Sequence, residues 1–77
     1  MNEIVKQRHE ILSLLYSARQ VEKRLKPGYL TESDISDACG ECSFNLGVLI
    51  ELGHIKQDGF KYRITGSGVE KCEQQSE

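Results

Sequence analysis

The sequence lacks the features that mark membrane-spanning and secreted proteins. None of its apolar runs reaches the about 18 residues that a membrane-spanning helix needs. The segment from Met1 to Glu10 also lacks the apolar stretch of a secretory signal. The three cysteines are an odd number, which favours reduced thiols in the cytoplasm over a disulfide scaffold. We therefore expect a cytoplasmic protein with no membrane partner.

The length of the chain and its lack of catalytic motifs argue against a multidomain protein and against an enzyme. It has 77 residues, of which 38% are hydrophobic and 29% are charged. A chain of this length buries only about 60% of its unfolded surface, so residues 1–77 are expected to form one domain around one core. His9 and His54 have no obvious catalytic partner, and Gly66-Ser67-Gly68 is too short for a phosphate-binding loop and lacks the following lysine. We expect neither an enzyme nor a cofactor.

Charge is distributed unevenly along the chain, although the net charge is only −2. Residues 31–53 contain five acidic and no basic side chains, whereas residues 1–30 contain six basic and three acidic ones. Residues 54–65 contain three basic side chains and one acidic one. An anion-binding surface must therefore come from the two basic stretches. The first stretch contains a second candidate anion-binding patch, formed by Arg19, Lys23, Arg24 and Lys26. The alternative is that these residues form a solvated helix end, because the negative C-terminus of a helix dipole favours lysine and arginine.

Apolar spacing predicts a long first helix from about residue 2 to residue 25. Apolar residues recur there at spacings of three, four and seven, and Pro27-Gly28 ends the pattern. The residues are Ile4, Ile11, Leu14, Leu15, Ala18, Val21 and Leu25. Such a helix is long for so small a domain and could overhang the core. Ile4, Val5 and Leu12 would then contact a second copy, which predicts a homodimer through this helix.

Capping residues predict two shorter helices after it. Thr31 is the expected N-cap of a second helix, because its hydroxyl can accept a free backbone N–H and acidic residues follow in the first turn. Ile35 and Ala38 are its expected inward residues, and Gly40 ends it. A third helix follows from about residue 41 or 42 and ends at Gly53, a natural left-handed position.

The second and third helices form a predicted helix-turn-helix of about residues 31–53. The remaining segments predict a hairpin and a final helix. Residues 55–64 alternate apolar and polar side chains around Asp58-Gly59, a dipeptide that tolerates the positive φ angles of tight turns. Thr65 is the expected N-cap of a brief helix within residues 66–77, whose polar end is expected to fray.

This order of elements resembles the winged helix-turn-helix family. Leu46-x-x-Leu49-x-x-x-Gly53-x-Ile55 resembles the end of the family's third helix, where glycine turns the chain into the wing. Tyr62-Arg63-Ile64-Thr65-x-x-Gly68 is similar to the second wing strand and following helix of small prokaryotic, notably archaeal, regulators. The resemblance covers roughly residues 9–73. It implies an α+β fold with a three-helix core, a β-hairpin wing and a short C-terminal helix; an unrelated three-helix domain with a hairpin is the alternative.

In that family the third helix usually enters the DNA major groove while the wing touches the backbone. At 100° per residue, the expected core face of this helix consists of Cys42, Leu46, Leu49, Ile50 and Gly53. The opposite side offers Phe44, Gly47, Val48 and Glu51, with Ser43 and Asn45 on its flanks. Of these, only Ser43 and Asn45 are types that read base edges, and the acids Glu41 and Glu51 repel phosphate. The third helix is therefore expected to contact bases only weakly.

The wing is better suited to bind phosphate. By alternation, Phe60, Tyr62 and Ile64 share one face, so Lys61 and Arg63 share the other. Together with Lys56, these two cations are the expected contacts to the DNA backbone. The alternative is that the aromatic residues are core and the cations keep the hairpin edge soluble.

Two functions follow from these surfaces. The leading interpretation is a small winged-helix transcription regulator that binds double-stranded DNA through its wing. The alternative is a protein–protein interaction module or anti-regulator whose third helix binds a protein partner through Phe44, Val48 and Glu51. If Phe44 and Val48 are exposed, this apolar pair indicates a surface that binds a partner. The alternative is that the wing or the first helix covers both residues.

The cysteines permit a further interpretation. Cys39-Gly-Glu-Cys42 is a C-x-x-C motif, and Cys72 with His9 or His54 would complete a set of zinc ligands. However, there is no second C-x-x-C, and the cysteines occupy apolar positions near the turn between helices. Buried small hydrophobic residues are the favoured role, so we expect no metal site, although the sequence leaves metal binding open.

Overall fold

The computed structural model describes residues 3–21 and 28–75, which form an α+β fold of four helices and a three-stranded antiparallel sheet. In chain order the elements are α1 (Glu3–Gln20), β1 (Leu30–Thr31), α2 (Glu32–Cys39), α3 (Ser43–Glu51), β2 (Ile55–Asp58), β3 (Lys61–Ile64) and α4 (Gly66–Gln75). The strand order in the sheet is β1-β3-β2. The predicted α+β class is confirmed.

Helix α1 packs against the sheet and all three other helices. Its Ile11 and Leu15 are fully buried, as the spacing predicts, whereas Ile4 is 47% exposed. The predicted outward position of Leu12 is wrong, because this side chain is 2% exposed within the core of its own chain. Leu12 therefore cannot serve the proposed dimer contact.

The end of the first helix also differs from the prediction. Helix α1 ends at Gln20, and Val21 lies in a turn with 58% of its surface exposed. Leu25, the last apolar residue of the predicted pattern, lies outside the described residues, as do Lys23, Arg24 and Lys26. The tail expected to fray comprises residues 73–77. Residues 73–75 belong to α4 instead, and residues 76 and 77 lie outside the described residues.

A capping box begins α2. The Asp34 backbone N–H donates to Thr31 Oγ1 at 3.1 Å, and the Thr31 N–H donates back to Asp34 Oδ2 at 3.2 Å. Ile35 is fully buried, but the predicted inward position of Ala38 is wrong because Ala38 is exposed. Cys39, one turn after Ile35, packs against the core instead.

Helix α3 is rotated relative to its predicted orientation. Leu46 and Leu49 are buried as expected, together with Cys42 just before the helix. Ile50 and Gly53, also assigned to the core face, are exposed, and Asn45 is buried. The buried stripe is therefore shifted by about one residue toward the side of Asn45.

Strands β2 and β3 form the predicted hairpin with its turn displaced by one residue. Asp58 pairs with Lys61, so the two turn residues are Gly59, with φ +67°, and Phe60. The prediction that Phe60 shares a face with Tyr62 and Ile64 is wrong, because Phe60 lies in the turn and is 73% exposed, whereas the other two are buried. A glycine first in a two-residue turn satisfies the positive φ required there without strain.

The inner face of the sheet closes the core. Ile55, Tyr62 and Ile64 of the hairpin join the buried residues of α1, α2 and α3 in one hydrophobic cluster. Helix α4 then packs on β3 and α1. Its Gly68 is buried, and a Cβ there would lie 2.0 Å from the carbonyl oxygen of His54. Glycine at this position therefore permits the backbone of α4 to approach the beginning of the hairpin.

Thr65 fixes the start of α4 to the same region. Its Oγ1 accepts the Gly68 N–H at 3.1 Å, which confirms the predicted N-cap, and donates to the Gly53 carbonyl oxygen. Gly53 itself has φ +78°, the left-handed conformation expected at the end of α3. Among the helices of the described residues, none combines the length and apolar character needed to cross a bilayer.

Candidate functional site

The three predicted phosphate contacts lie on one face of the hairpin, which we call the outer hairpin face (Lys56, Asp58, Lys61 and Arg63). In this pairing Lys56 lies opposite Arg63, and Asp58 lies opposite Lys61. Residues that alternate with the buried Tyr62 and Ile64 must point away from the core. Lys56 and Lys61 are exposed, and Arg63 is half-buried. The structure thus brings the three basic residues together.

The pairing concentrates positive charge at one end of this face. Directly opposed residues of an antiparallel pair have Cβ atoms about 4.5–5.5 Å apart, and like charges in such a pair are destabilising. Lys61 lies opposite Asp58, whereas Lys56 lies opposite Arg63. An anion bound between these two basic side chains would be attracted by both.

An aromatic residue that the sequence analysis did not select completes this end of the face. The guanidinium carbon of Arg63 lies 5.4 Å from the centroid of the Tyr29 ring, a cation–π contact. Tyr29 immediately precedes β1, and the next residue, Leu30, pairs with Tyr62. The ring packs against the planar group of Arg63 and restricts its orientation. Only the register between β1 and β3 could have identified Tyr29, because 34 residues separate it from Arg63.

The second basic cluster of the sequence is only partly described. Arg19 Nη1 donates to the carbonyl oxygen of Ile64 at 3.0 Å, so this guanidinium ties α1 to the end of β3. The other three members of that cluster belong to residues 22–27, which lie outside the described part of the chain. Arg19 therefore has a structural role in the contact between α1 and the sheet.

The two predicted base-contacting residues of α3 have opposite environments. Ser43 is exposed at the first turn, where its Oγ donates to Glu32 Oε2 at 3.2 Å. Asn45, in contrast, is 1% exposed, so its predicted position on the accessible flank of α3 is wrong. A residue buried to this extent does not reach a ligand on the surface of the helix.

The polar groups of Asn45 are used inside the protein. Its Nδ2 donates to the Ile4 carbonyl oxygen at 2.9 Å and to Gln7 Oε1 at 2.8 Å, while its Oδ1 accepts from Arg8 Nε at 3.1 Å. Gln7 Nε2 in turn donates to the carbonyl oxygen of Cys39 at 2.9 Å. The network therefore connects α1 to α3 and to the end of α2, and it satisfies a buried amide that would otherwise be costly.

The residues proposed as a partner surface remain on the accessible side of α3. Phe44 is 67% exposed, Val48 is half-buried and Glu51 is exposed. No basic residue occurs in α3. This surface is thus apolar and acidic, in contrast to the outer hairpin face.

The cysteines do not form a metal site within the described residues. There, no group of three or more His, Cys, Asp or Glu side chains is placed to hold a metal ion. Cys42 is 1% exposed, with its Sγ 3.5 Å from Ser36 Oγ, and Cys39 is half-buried. Burial raises the pKa of the Cys39 thiol, which disfavours the thiolate that binds metals and reacts with oxidants. Both side chains contribute to packing instead.

Comparisons of the chain with models of protein families, with curated proteins and with solved structures give no match.

Proposed function

We propose that the chain is a winged-helix DNA-binding protein, of transcription-regulator type, in which the hairpin is the wing and contacts phosphate groups. The observation that carries the proposal is the opposition of Lys56 and Arg63 across the outer hairpin face. Two basic side chains that lie opposite each other on one face of a hairpin can both contact the same phosphate group. The Tyr29 ring further supports the proposal, because it orients the Arg63 guanidinium.

The proposed mode of binding is dominated by the DNA backbone. With Asn45 buried, Ser43 is the polar residue of the first turn of α3 that remains accessible to a base edge. The exposed Glu51 repels phosphate at the other end of the helix. Binding through a wing that neutralises about three phosphates is expected to be weak and to depend strongly on salt, with little preference for sequence.

The test is a titration of a labelled DNA duplex, followed by fluorescence anisotropy at several salt concentrations. For about three phosphate contacts, the logarithm of the binding constant should fall with the logarithm of the salt concentration with a slope of about −2.7. In the double variant K56Q/K61Q, the slope should weaken by about 1.8 because two contacts are lost. Both lysines are exposed, so the fold is expected to remain intact.

The matched control is Lys71→Gln, which removes an exposed lysine from α4 without touching the hairpin. It should bind DNA with an unchanged slope. The proposal is wrong if the wild type does not bind duplex DNA even at low salt, or if the double variant and the control have the same slope as the wild type.

A different observation supports a second candidate function. Phe44 exposes 67% of its surface on α3, and an aromatic side chain left in water at such a position contributes little to folding. We propose as the alternative that this face, formed by Phe44, Val48 and Glu51, binds a protein. A second copy of the chain is the partner that can be tested first.

The alternative is tested by sedimentation equilibrium of Phe44→Ser. Loss of a dimer that the wild type forms would support a protein interface on α3. Phe60→Ser is the matched control, because Phe60 is equally exposed, at 73%, but lies on the hairpin turn. A monomeric wild type, or equal loss of the dimer in both variants, would argue against a self-association surface centred on Phe44.

A further inference from the structure

A cavity of about 290 Å³ lies between α1, the C-terminal end of α3 and α4, away from the outer hairpin face. Leu12, Leu49 and Leu52 provide its apolar lining. Cavities that bind small organic molecules have volumes of about 300–1,000 Å³, with mostly apolar walls and a few polar groups that orient the ligand. This cavity is at the lower limit of that range, so it suits a molecule with one ring or a short branched chain.

The charged side chains that line the cavity are both basic. They are Arg8 and Lys71, with His9 and His54 beside them, and within the described residues no acidic side chain lines the cavity. The chain as a whole carries more acidic than basic groups, with a net charge of −2. Two other cavities along α1 each include a glutamate, Glu73 in one and Glu10 in the other. A cavity with only basic groups in an acidic protein indicates an anionic ligand.

One of these basic groups, Arg8, is held in place before any ligand binds. Arg8 Nε donates to Oδ1 of the buried Asn45 at 3.1 Å, which fixes the plane of the guanidinium. His54 Nδ1 is buried and has no hydrogen-bond partner within the described residues. Buried polar atoms without a partner are uncommon in proteins, which makes His54 a residue to monitor when the adjacent cavity is filled.

We propose that this cavity binds a small organic anion in which a carboxylate is attached to a compact apolar body. The carboxylate would interact with Arg8, Lys71 and the imidazole of His54, and the apolar body would contact the three leucines. An arginine presents donors in a planar fork that matches a carboxylate, and its interaction is stronger in a partly enclosed site than in water. Binding is reversible, and no covalent bond is formed or broken.

The test uses benzoate as the probe in a titration of the ¹⁵N-labelled protein by NMR. Saturable shifts are expected for the backbone amides of Leu49, Leu52 and His54, and for the imidazole nitrogens of His54. Benzyl alcohol, which has the same ring without the charge, should bind more weakly. Inorganic phosphate, which has the charge without the ring, should do the same, because both parts of the ligand contribute in the proposed site.

The matched variants are Lys71→Glu and Lys6→Glu. Both exchange one exposed lysine for glutamate and change the net charge equally, but only Lys71 lines the cavity. Lys71→Glu should weaken benzoate binding about tenfold, because the charge reversal replaces attraction by repulsion, and Lys6→Glu should leave it unchanged. The proposal is overturned if benzoate causes no saturable shift at these residues, if both variants weaken binding equally, or if phosphate or benzyl alcohol binds as tightly as benzoate.

Discussion

The outer hairpin face and the exposed face of α3 differ in both charge and apolar character. On the hairpin, three basic side chains lie on one side of a two-stranded ribbon, and the apolar side chains Tyr62 and Ile64 lie on the other. On α3, the accessible side combines Phe44 and Val48 with Glu51 and has no base. The hairpin therefore separates packing from charge, while α3 uses its polar residue Asn45 for packing.

The types of residue on an element therefore do not by themselves indicate what the element binds. Asn45 and Arg63 are both types that contact DNA. One is buried in a network between helices, whereas the other lies on the outer hairpin face beside Tyr29. Substitutions on the buried and on the accessible side of each region can therefore measure the structural and the surface role separately.

The largest effect is expected from Ile64→Ala on the inner side of the hairpin. Ile64 is fully buried in the core cluster, and truncation of such a side chain costs about 2–5 kcal/mol of unfolding free energy. Lys61→Gln, on the opposite side of the same strand, should change it by no more than about 0.5 kcal/mol. Urea unfolding monitored by circular dichroism measures both. An equal loss in the two variants would contradict the separation of packing from charge on β3.

A smaller loss is expected from Asn45→Ala in α3. The variant leaves the Ile4 carbonyl, Gln7 and Arg8 without the hydrogen bonds that the amide provides, at a cost of about 1–3 kcal/mol. Ser43→Ala, two residues earlier and exposed, is the control and should cost about 0.5 kcal/mol or less.

Hydrogen exchange gives a second measurement for this pair. The backbone amides in the second turn of α1, the first to have helical hydrogen bonds, should lose protection in Asn45→Ala and keep it in Ser43→Ala, since Asn45 ties α3 to that end of α1. Equal stability and equal protection in the two variants would mean that the buried network does not hold α1 in place.

The elements that the sequence predicts well are those fixed by neighbouring residues. The caps at Thr31 and Thr65 and the glycines that end α2 and α3 act within one turn of the chain, so their residue types suffice. The hairpin follows from the alternation of its own residues. Its turn is displaced because Gly59 can occupy either central position of a two-residue turn, so the dipeptide does not determine the register.

The features that the sequence predicts poorly depend on contacts between distant segments. The burial of Asn45 depends on Gln7, 38 residues earlier, and nothing in the sequence around α3 reveals this partner. The same holds for the cation–π contact of Arg63 with Tyr29. Leu12 is buried because both the sheet and the other helices pack around α1. The apolar spacing within one helix predicts a single buried face and does not show that neighbouring elements cover a second one.

The smallest effect is expected from the charge of Glu41, which precedes α3. The Ser43 backbone N–H donates to Glu41 Oε1 at 2.8 Å, and this hydrogen bond holds the pKa of the carboxyl below its ordinary value of 4.5. A lowered pKa in the folded protein means that the ionised group stabilises the fold above pH 4.5, and that this contribution is lost as the pH falls through the folded pKa.

The variant Glu41→Gln isolates the charge, because the amide oxygen can still accept the Ser43 N–H. It should be less stable than the wild type at neutral pH, and the difference should shrink toward zero as the pH falls below 4.5 and the wild-type carboxyl becomes protonated. Urea unfolding of both proteins at several pH values measures it. Glu70→Gln on α4 is the control for a general loss of negative charge. A difference for Glu41→Gln that stayed constant with pH would show that the start of α3 depends on the shape of this side chain and not on its charge.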